Sequence, residues 1–209
     1  MSLELIYWDG KGRAECIRLL CAAGGVAFKD TRMADEDTPA AVGNTELKWD
    51  EAKKAAPFGQ APYLRVGDKI LPQSRAIERY VAKLGHLLGD NEFDAAWIDA
   101  IQEQVRDVFQ AFRNEGTDDD KKKAFVAGLA SNSAVAALAK LAAPGGFLVG
   151  NKLSYADVAL FQFLNDTLQP VDPAAFDAAL PAALKAHKAH VAAVPAIAKY
   201  LAARPARPW

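Results

Sequence analysis

The chain has 209 residues, 51% of them hydrophobic and 24% charged, enough to bury a substantial core in one large domain or two smaller ones. Its 25 basic and 26 acidic residues leave a net charge of -1 with no long like-charged cluster, which argues against nucleic acid or an anionic membrane as a partner. No apolar run approaches the roughly 18 to 20 residues of a membrane span, and MSLELIYWDG lacks the basic-then-apolar pattern of a secretory leader, so a cytoplasmic protein is expected.

The first stretch, LELIYW, reads as a strand. It breaks on Gly10 and Gly12, and RAECIRLLCAAGG follows as an apolar-periodic helix closed by glycines. Tyr7 stands where the strand ends, either to pack an apolar face or to aim its hydroxyl at a ligand. Cys16 and Cys21 lie five apart in the helix, on different faces, so they cannot form a disulfide or a CxxC redox pair and read as small buried hydrophobes. VAFKDTR suggests a second strand, and ELKWDEAKKAA a short helix stopped by Pro57. APYLRVGDKILPQS reads as two strands joined at Gly67 and Asp68, and SRAIERYVAKLG as a helix capped by Ser74 and closed by Gly85. The order βαβαββα implies a small mixed sheet with helices on its faces.

HLLGDNEFD reads as a linker, and beyond it only helical spacing remains. In FDAAWIDAIQEQVRDVFQAFRN the apolar stripe is Trp97, Ile101, Val105, Val108, Phe109 and Phe112, and alanine-rich helices continue to residue 203. The expected architecture is an α/β domain over residues 1–84 and an all-helical domain over 93–209. TDDDKKK reads as a solvated helix start, and SYAD as a capping box in which Ser154 and Asp157 open a buried helix. His187 and His190 in HKAH share a helix face, but two ligands without a third do not make a metal site, so solvent-exposed histidines and no metal are expected.

Two stretches carry binding chemistry. In PFGQAPYL, Pro62 directly precedes a strand, which invites a cis bond that would expose the backbone N–H and C=O of Ala61 to an extended peptide-like ligand. In PQSRAIERY, Gln73 and Ser74 open a helix whose unpaired N–H groups favour a carboxylate or phosphate; Ser74 could equally be a simple N-cap.

With these residues in view, the chain resembles the cytosolic glutathione transferases, and among them the sigma class. The resemblance rests on YWDGKGRAECIRLL, APFGQAPYL, LPQSRAIERYVAKLG and LSYADVALF, in that order along nearly the whole chain. It implies a thioredoxin-like N-terminal domain, an all-helical C-terminal domain forming much of the electrophile pocket and the dimer interface, and a homodimer. Glutathione is implied as co-substrate, with no tightly bound cofactor and a small hydrophobic electrophile as second substrate. The family's roles fall on matching positions. Tyr7 would donate its hydroxyl to the glutathione sulfur, and Arg13 would lie beside the thiol, unless it simply pairs with Glu15 or another acid. Trp49 and Lys53 would hold the glycine carboxylate, Gln60, Ala61 and Pro62 the cysteinyl backbone, and Gln73 with Ser74 the γ-glutamyl carboxylate. Asp107 would reach the γ-glutamyl amine across the dimer. Trp8, Arg13, Phe109, Arg113 and Trp209 are candidates for lining the electrophile pocket, with Trp8 equally able to be core.

Two departures from the family pattern stand out. Arg106 precedes Asp107 where prostaglandin-isomerising members can carry a second acid at a metal-responsive interface, which argues against a metal here. ADEDTPAAVGNTELK is long for its place before Trp49 and reads as a mobile loop beside the glycine end of the site. Two other readings keep the same fold: a glutathione-dependent isomerase of the prostaglandin D synthase kind, and a ligand carrier or crystallin-like protein. A thioredoxin-like oxidoreductase would need a cysteine between Tyr7 and Lys11, and none is there.

Overall fold

The computed structural model describes residues 2–33, 47–142 and 146–206, so ADEDTPAAVGNTE and Trp209 lie outside the described residues. Strand β1 (Leu3–Trp8) is the hub of a four-stranded sheet. It pairs in parallel with β2 (Lys29–Met33) on one side and antiparallel with β3 (Tyr63–Val66) on the other, and β3 pairs antiparallel with β4 (Lys69–Pro72). A strand flanked on both sides and covered on both faces needs apolar residues at successive positions. Leu5, Ile6 and Tyr7 are accordingly buried in a row. The β3–β4 hairpin turns through Gly67, whose φ of 58° suits a tight connection.

A 3-10 turn (Gly12–Ala14) and helix α1 (Glu15–Ala23) link β1 to β2. Helix α2 (Trp49–Ala55) precedes β3, and α3 (Ser74–Leu84) follows β4, which is the expected βαβαββα order. The glycines that close α1 and α3 pack against each other: a Cβ on Gly24 would stand 2.5 Å from the Cα of Gly85. Helix α1 is buried from Glu15 to Cys21, charges included. Both thiols are free and buried, and burial holds Cys16 well above its ordinary value and pushes Cys21 up to about 12.

The chain forms two compact units. One joins Met1–His86 with Lys199–Trp209, and the other is Leu87–Ala198. The sequence pattern keeps residues 199–209 with the helical domain, because they continue its alanine-rich spacing. In the structure they group with the first unit, where Tyr200 and Arg204 bond to Glu15.

The second unit contains α4 (Glu92–Asn114), α5 (Asp119–Ala127), α6 (Ser133–Leu141), α7 (Tyr155–Gln162), α8 (Pro173–Ala179) and α9 (Ala182–Ala192). Helix α10 (Pro195–Ala203) runs across the boundary between the units. Among the described residues no strand follows β4, and no helix is long and apolar enough to cross a membrane. Asp118 caps α5 through the N–H groups of Asp120 and Lys121, so TDDDKKK is an exposed helix start.

Asp157 organises the start of α7. Its Oδ2 accepts from the Ser154 N–H at 2.8 Å and the Ser154 hydroxyl at 2.6 Å, and its Oδ1 from the Leu148 N–H at 2.8 Å. The capping box is therefore present as expected. The same Oδ1 lies 2.8 Å from Nε2 of His187, which is fully buried rather than exposed. Helix α4 also differs from expectation. Its inner face is Ile98, Ile101, Gln102, Val105, Val108 and Phe112, while Trp97 faces solvent.

Candidate active site

The strand register gathers the N-terminal candidates at one end of the sheet. Ile6 is opposite Tyr63, and Tyr63 is opposite Pro72. The end of β1 with Tyr7, the start of β3 after Ala61 and Pro62, and the end of β4 before Gln73 and Ser74 thus lie side by side. Two inter-strand steps separate the outer members, about 10 Å.

At the first of these positions, Tyr7 is 8% exposed and its Oη accepts the Arg13 backbone N–H at 3.2 Å. An oxygen that accepts this bond keeps its own proton free to donate elsewhere. The turn after β1 closes over the hydroxyl. Gly12, at φ 40°, has so little room that a Cβ would stand 2.5 Å from the Tyr7 Oη. The Arg13 side chain is exposed and makes no ion pair among the described residues, whereas Glu15 is taken by Arg18, Tyr200 and Arg204.

Trp8 meets Tyr7 edge-on, with ring centroids 5.3 Å apart, and Trp49 at 5.0 Å. Both tryptophans pack on a buried cluster of Ile6, Met33, Ala52, Ala56 and Tyr63. The Tyr63 hydroxyl donates to the Ala52 carbonyl at 3.2 Å and so ties α2 to β3. This anchorage fixes Trp49 and the exposed Lys53. The Lys53 Cε comes within 3.7 Å of the place a Cβ would take on Gly59, which brings the lysine stem beside the PFGQAP segment. Gln60 is exposed, Ala61 half-buried, and the Ala61–Pro62 bond is cis, as the sequence suggests.

At the third position the helix start differs from the sequence expectation. Ser74 is the first residue of α3, and the N-cap is Gln73, held at φ 72° with no side-chain cap. No acidic residue occupies the first turn of this helix, so the positive end of its dipole faces outward without an internal counter-charge. A non-glycine residue in the left-handed region is a strained arrangement that tends to mark ligand-contacting backbone.

The remaining candidates lie on α4, in the second unit. Asp107 is exposed, and Arg106 beside it pairs with Glu103 at 2.8 Å. Phe109 packs edge-on against Phe163 at 5.9 Å, and the Arg113 guanidinium lies 6.0 Å from the Phe109 ring centre. Phe163 opens a π-helical turn (Phe163–Leu168) that the sequence pattern does not reveal.

Sequence reasoning also misses the charges behind the Tyr7 turn: Asp9, Glu15, Arg18 and Arg32 are all buried. The spacing in RAECIR, with acid and base three apart on a helix, is a signal that could have found one pair of them. Both cysteines are buried and their thiols pushed up by that burial, which favours a sulfur brought by a ligand over either of them for any thiol chemistry at this site.

Comparison with known sequences bears on which ligand that is. The profile described as "Glutathione S-transferase, N-terminal domain" matches residues 3–83, and "Glutathione S-transferase, C-terminal domain" matches residues 102–204. The chain belongs to the glutathione S-transferase family. Among similar transferases is "Probable glutathione S-transferase 6" of Caenorhabditis elegans, 31% identical over 99% of this chain and 98% of the relative. The Plasmodium falciparum glutathione S-transferase is 30% identical over 97% of this chain and 96% of the relative. Among solved structures, an Onchocerca volvulus Pi-class glutathione S-transferase superposes with a TM-score of 0.79 at 31% identity, covering 98% of this chain and 94% of that one. Rat hPGDS complexed with a quinoline superposes at 0.80 and 26% identity, covering 100% of both chains. As a glutathione S-transferase the chain is an enzyme, with glutathione as its co-substrate.

Proposed function

We propose that this glutathione S-transferase joins the thiolate of bound glutathione to small hydrophobic electrophiles, with the Tyr7 hydroxyl donating to the sulfur. The observation that carries this reading is the Arg13 N–H bond to the Tyr7 Oη, which orients the hydroxyl and leaves its proton free to donate. A free thiol has a pKa of about 8.5 and is mostly protonated at neutral pH. A donor aimed at the sulfur favours the anion over the thiol, so more nucleophile is present before the electrophile arrives. The thiolate then forms the S–C bond as the electrophile's leaving group departs.

The tripeptide would lie along the sheet end. The γ-glutamyl carboxylate would meet Gln73, Ser74 and the uncapped start of α3, the cysteinyl backbone would pair with Gln60, Ala61 and Pro62, and the glycine carboxylate would meet Trp49 and Lys53. Arg13 would add positive charge near the sulfur. The roles of Asp107 toward a partner's γ-glutamyl amine, and of Trp8, Phe109, Arg113 and Trp209 toward the electrophile, rest on the family resemblance. So do the sigma-like class and the homodimer, while the cytoplasmic location and the domain limits 1–84 and 93–209 rest on the sequence pattern, from which the grouping of residues 199–206 with the first unit departs. Class-labelled relatives are mu and pi, and the sigma reading rests on the resemblance of the four motifs alone.

Conjugation of a chloronitrobenzene tests the central claim. Tyr7→Phe should lower kcat by about a hundredfold, as loss of a preorganised donor does elsewhere, while glutathione affinity changes by less than about threefold. Wild-type kcat in Tyr7→Phe would sink the role of Tyr7. Tight glutathione binding without turnover across a broad electrophile panel would favour the carrier reading.

A further inference from the structure

Helix α1 buries two charges, Glu15 at 1% and Arg18 at 0% exposure. Charges this deep are tolerated only when matched, and each match fixes a piece of backbone or another side chain. Arg18 Nε is held by Asp30, at 3.1 Å from Oδ1 and 3.0 Å from Oδ2. Its Nη1 serves two acceptors, the Gly10 carbonyl at 2.6 Å and Glu15 Oε2 at 3.3 Å. Gly10 belongs to the turn that carries Gly12 and Arg13 over the Tyr7 hydroxyl. The start of the same turn is held by the Asp9 N–H bond to the Met33 carbonyl at 3.0 Å and by the pairing of Asp9 with Arg32 at 3.1 Å.

The sharing of Nη1 is the informative detail. Gly10 has the shorter bond, and the other oxygen of Glu15 is engaged elsewhere. Its Oε1 accepts from Arg204 Nη1 at 2.6 Å and from the Tyr200 hydroxyl at 3.1 Å. Burial, with the Glu15 charge adding to it, holds the Tyr200 phenol above its ordinary value, so Tyr200 remains a donor. Without those two partners, Glu15 would be a buried carboxylate with one cation, competing with the Gly10 carbonyl for the same nitrogen.

We propose that Tyr200 and Arg204 are positioning residues for Tyr7: by satisfying Glu15 they leave Arg18 to clamp the Gly10 carbonyl and hold the turn that orients the tyrosine hydroxyl. This rests on the reading of Tyr7 given above. Neither residue touches glutathione in this scheme, so their loss acts on the chemical step and not on affinity.

The test uses the full chain with glutathione and a chloronitrobenzene. It compares Arg204→Ala, Arg204→Lys and Tyr200→Phe, the first also in a Tyr7→Phe background, with thermal midpoints recorded for each. Arg204→Ala should lower kcat by about tenfold with the glutathione KM within about twofold, and should cause no further loss once Tyr7 is Phe. Arg204→Lys should recover most of the rate, because a single-point contact suits an ammonium. Unchanged kcat in Arg204→Ala, or losses that multiply in the double variant, would overturn the positioning role. If Arg204→Ala does not fold, Tyr200→Phe, which removes one oxygen, carries the test, with about threefold loss expected and wild-type kcat overturning the proposal. Full activity in Tyr7→Phe alone would overturn the assignment of Tyr7 and this proposal with it. A hundredfold loss there beside an unaffected Arg204→Ala would overturn the positioning alone.

Discussion

Gly12 stands against the Tyr7 side chain with almost no room to spare. It sits at φ 40°, and a Cβ there would stand 2.5 Å from the Tyr7 Oη and 3.0 Å from the ring. Gly12→Ala therefore combines left-handed strain of about 1–2 kcal/mol with a direct push on the hydroxyl. We expect kcat to fall at least about tenfold with glutathione affinity little changed, since a displacement of about 1 Å at a reacting group is costly. A variant with wild-type kcat would show that the hydroxyl's place does not matter. Gly12 and Tyr7 are legible in YWDGKGR, because a tyrosine at a strand end followed by glycines is a local pattern. The N-cap of α3 is not. Serine is a favoured cap when a helix must satisfy its own N–H groups, but here Gln73 takes the position without using its side chain, and the first turn stays open.

At the scale of elements, α7 shows why some packing can be read locally and some cannot. Ser154 and Asp157 are three apart, and their mutual bonds follow from helix geometry. His187, the further partner, is thirty residues on, and its burial depends on how α9 meets α7. A hint was present, since Leu184, His187 and Val191 share one buried stripe of α9. In α4 the stripe was misplaced by one residue at its start. Each residue turns a helix by about 100°, so Trp97 in place of Ile98 puts that one side chain toward solvent, while Ile101, Val105, Val108 and Phe112 are buried as expected. Asp157→Ala would leave the Leu148 N–H, the Ser154 N–H and hydroxyl, and the His187 Nε2 without their acceptor. A loss of at least about 3 kcal/mol in urea unfolding is expected, because buried unmatched donors cost about 1–3 kcal/mol each. A loss below about 1 kcal/mol would show that other acceptors replace the carboxylate.

For the whole molecule, strand directions alone bring Tyr7, Ala61 and Gln73 to one sheet end, which is why the proposed glutathione site was readable from motif order. The return of residues 199–206 was not, because Tyr200 and Arg204 find Glu15 some 185 positions earlier in the chain and nothing in local spacing signals it. The proposed homodimer also belongs to this scale. Phe58 and Phe93 are 63% and 77% exposed, which makes them the side chains to test for such an interface. By sedimentation, the wild-type chain of 22.4 kDa should run as a dimer. Phe58→Ser or Phe93→Ser should weaken association by at least about tenfold, as loss of an aromatic anchor does. A wild-type monomer at micromolar concentration would end the dimer proposal, and two unaffected variants would move the interface elsewhere.

The two-piece first unit has a consequence for how the protein is made. A chain grows from its N-terminus, and domains tend to fold as they emerge. Residues up to His86 leave the ribosome with Glu15 facing Arg18 but lacking Tyr200 and Arg204, which are synthesised after the whole of the second unit. A nascent chain stalled before residue 199 would carry all four strands and an incomplete charge network around its first helix, which closes only once Arg204, just beyond α10, is released.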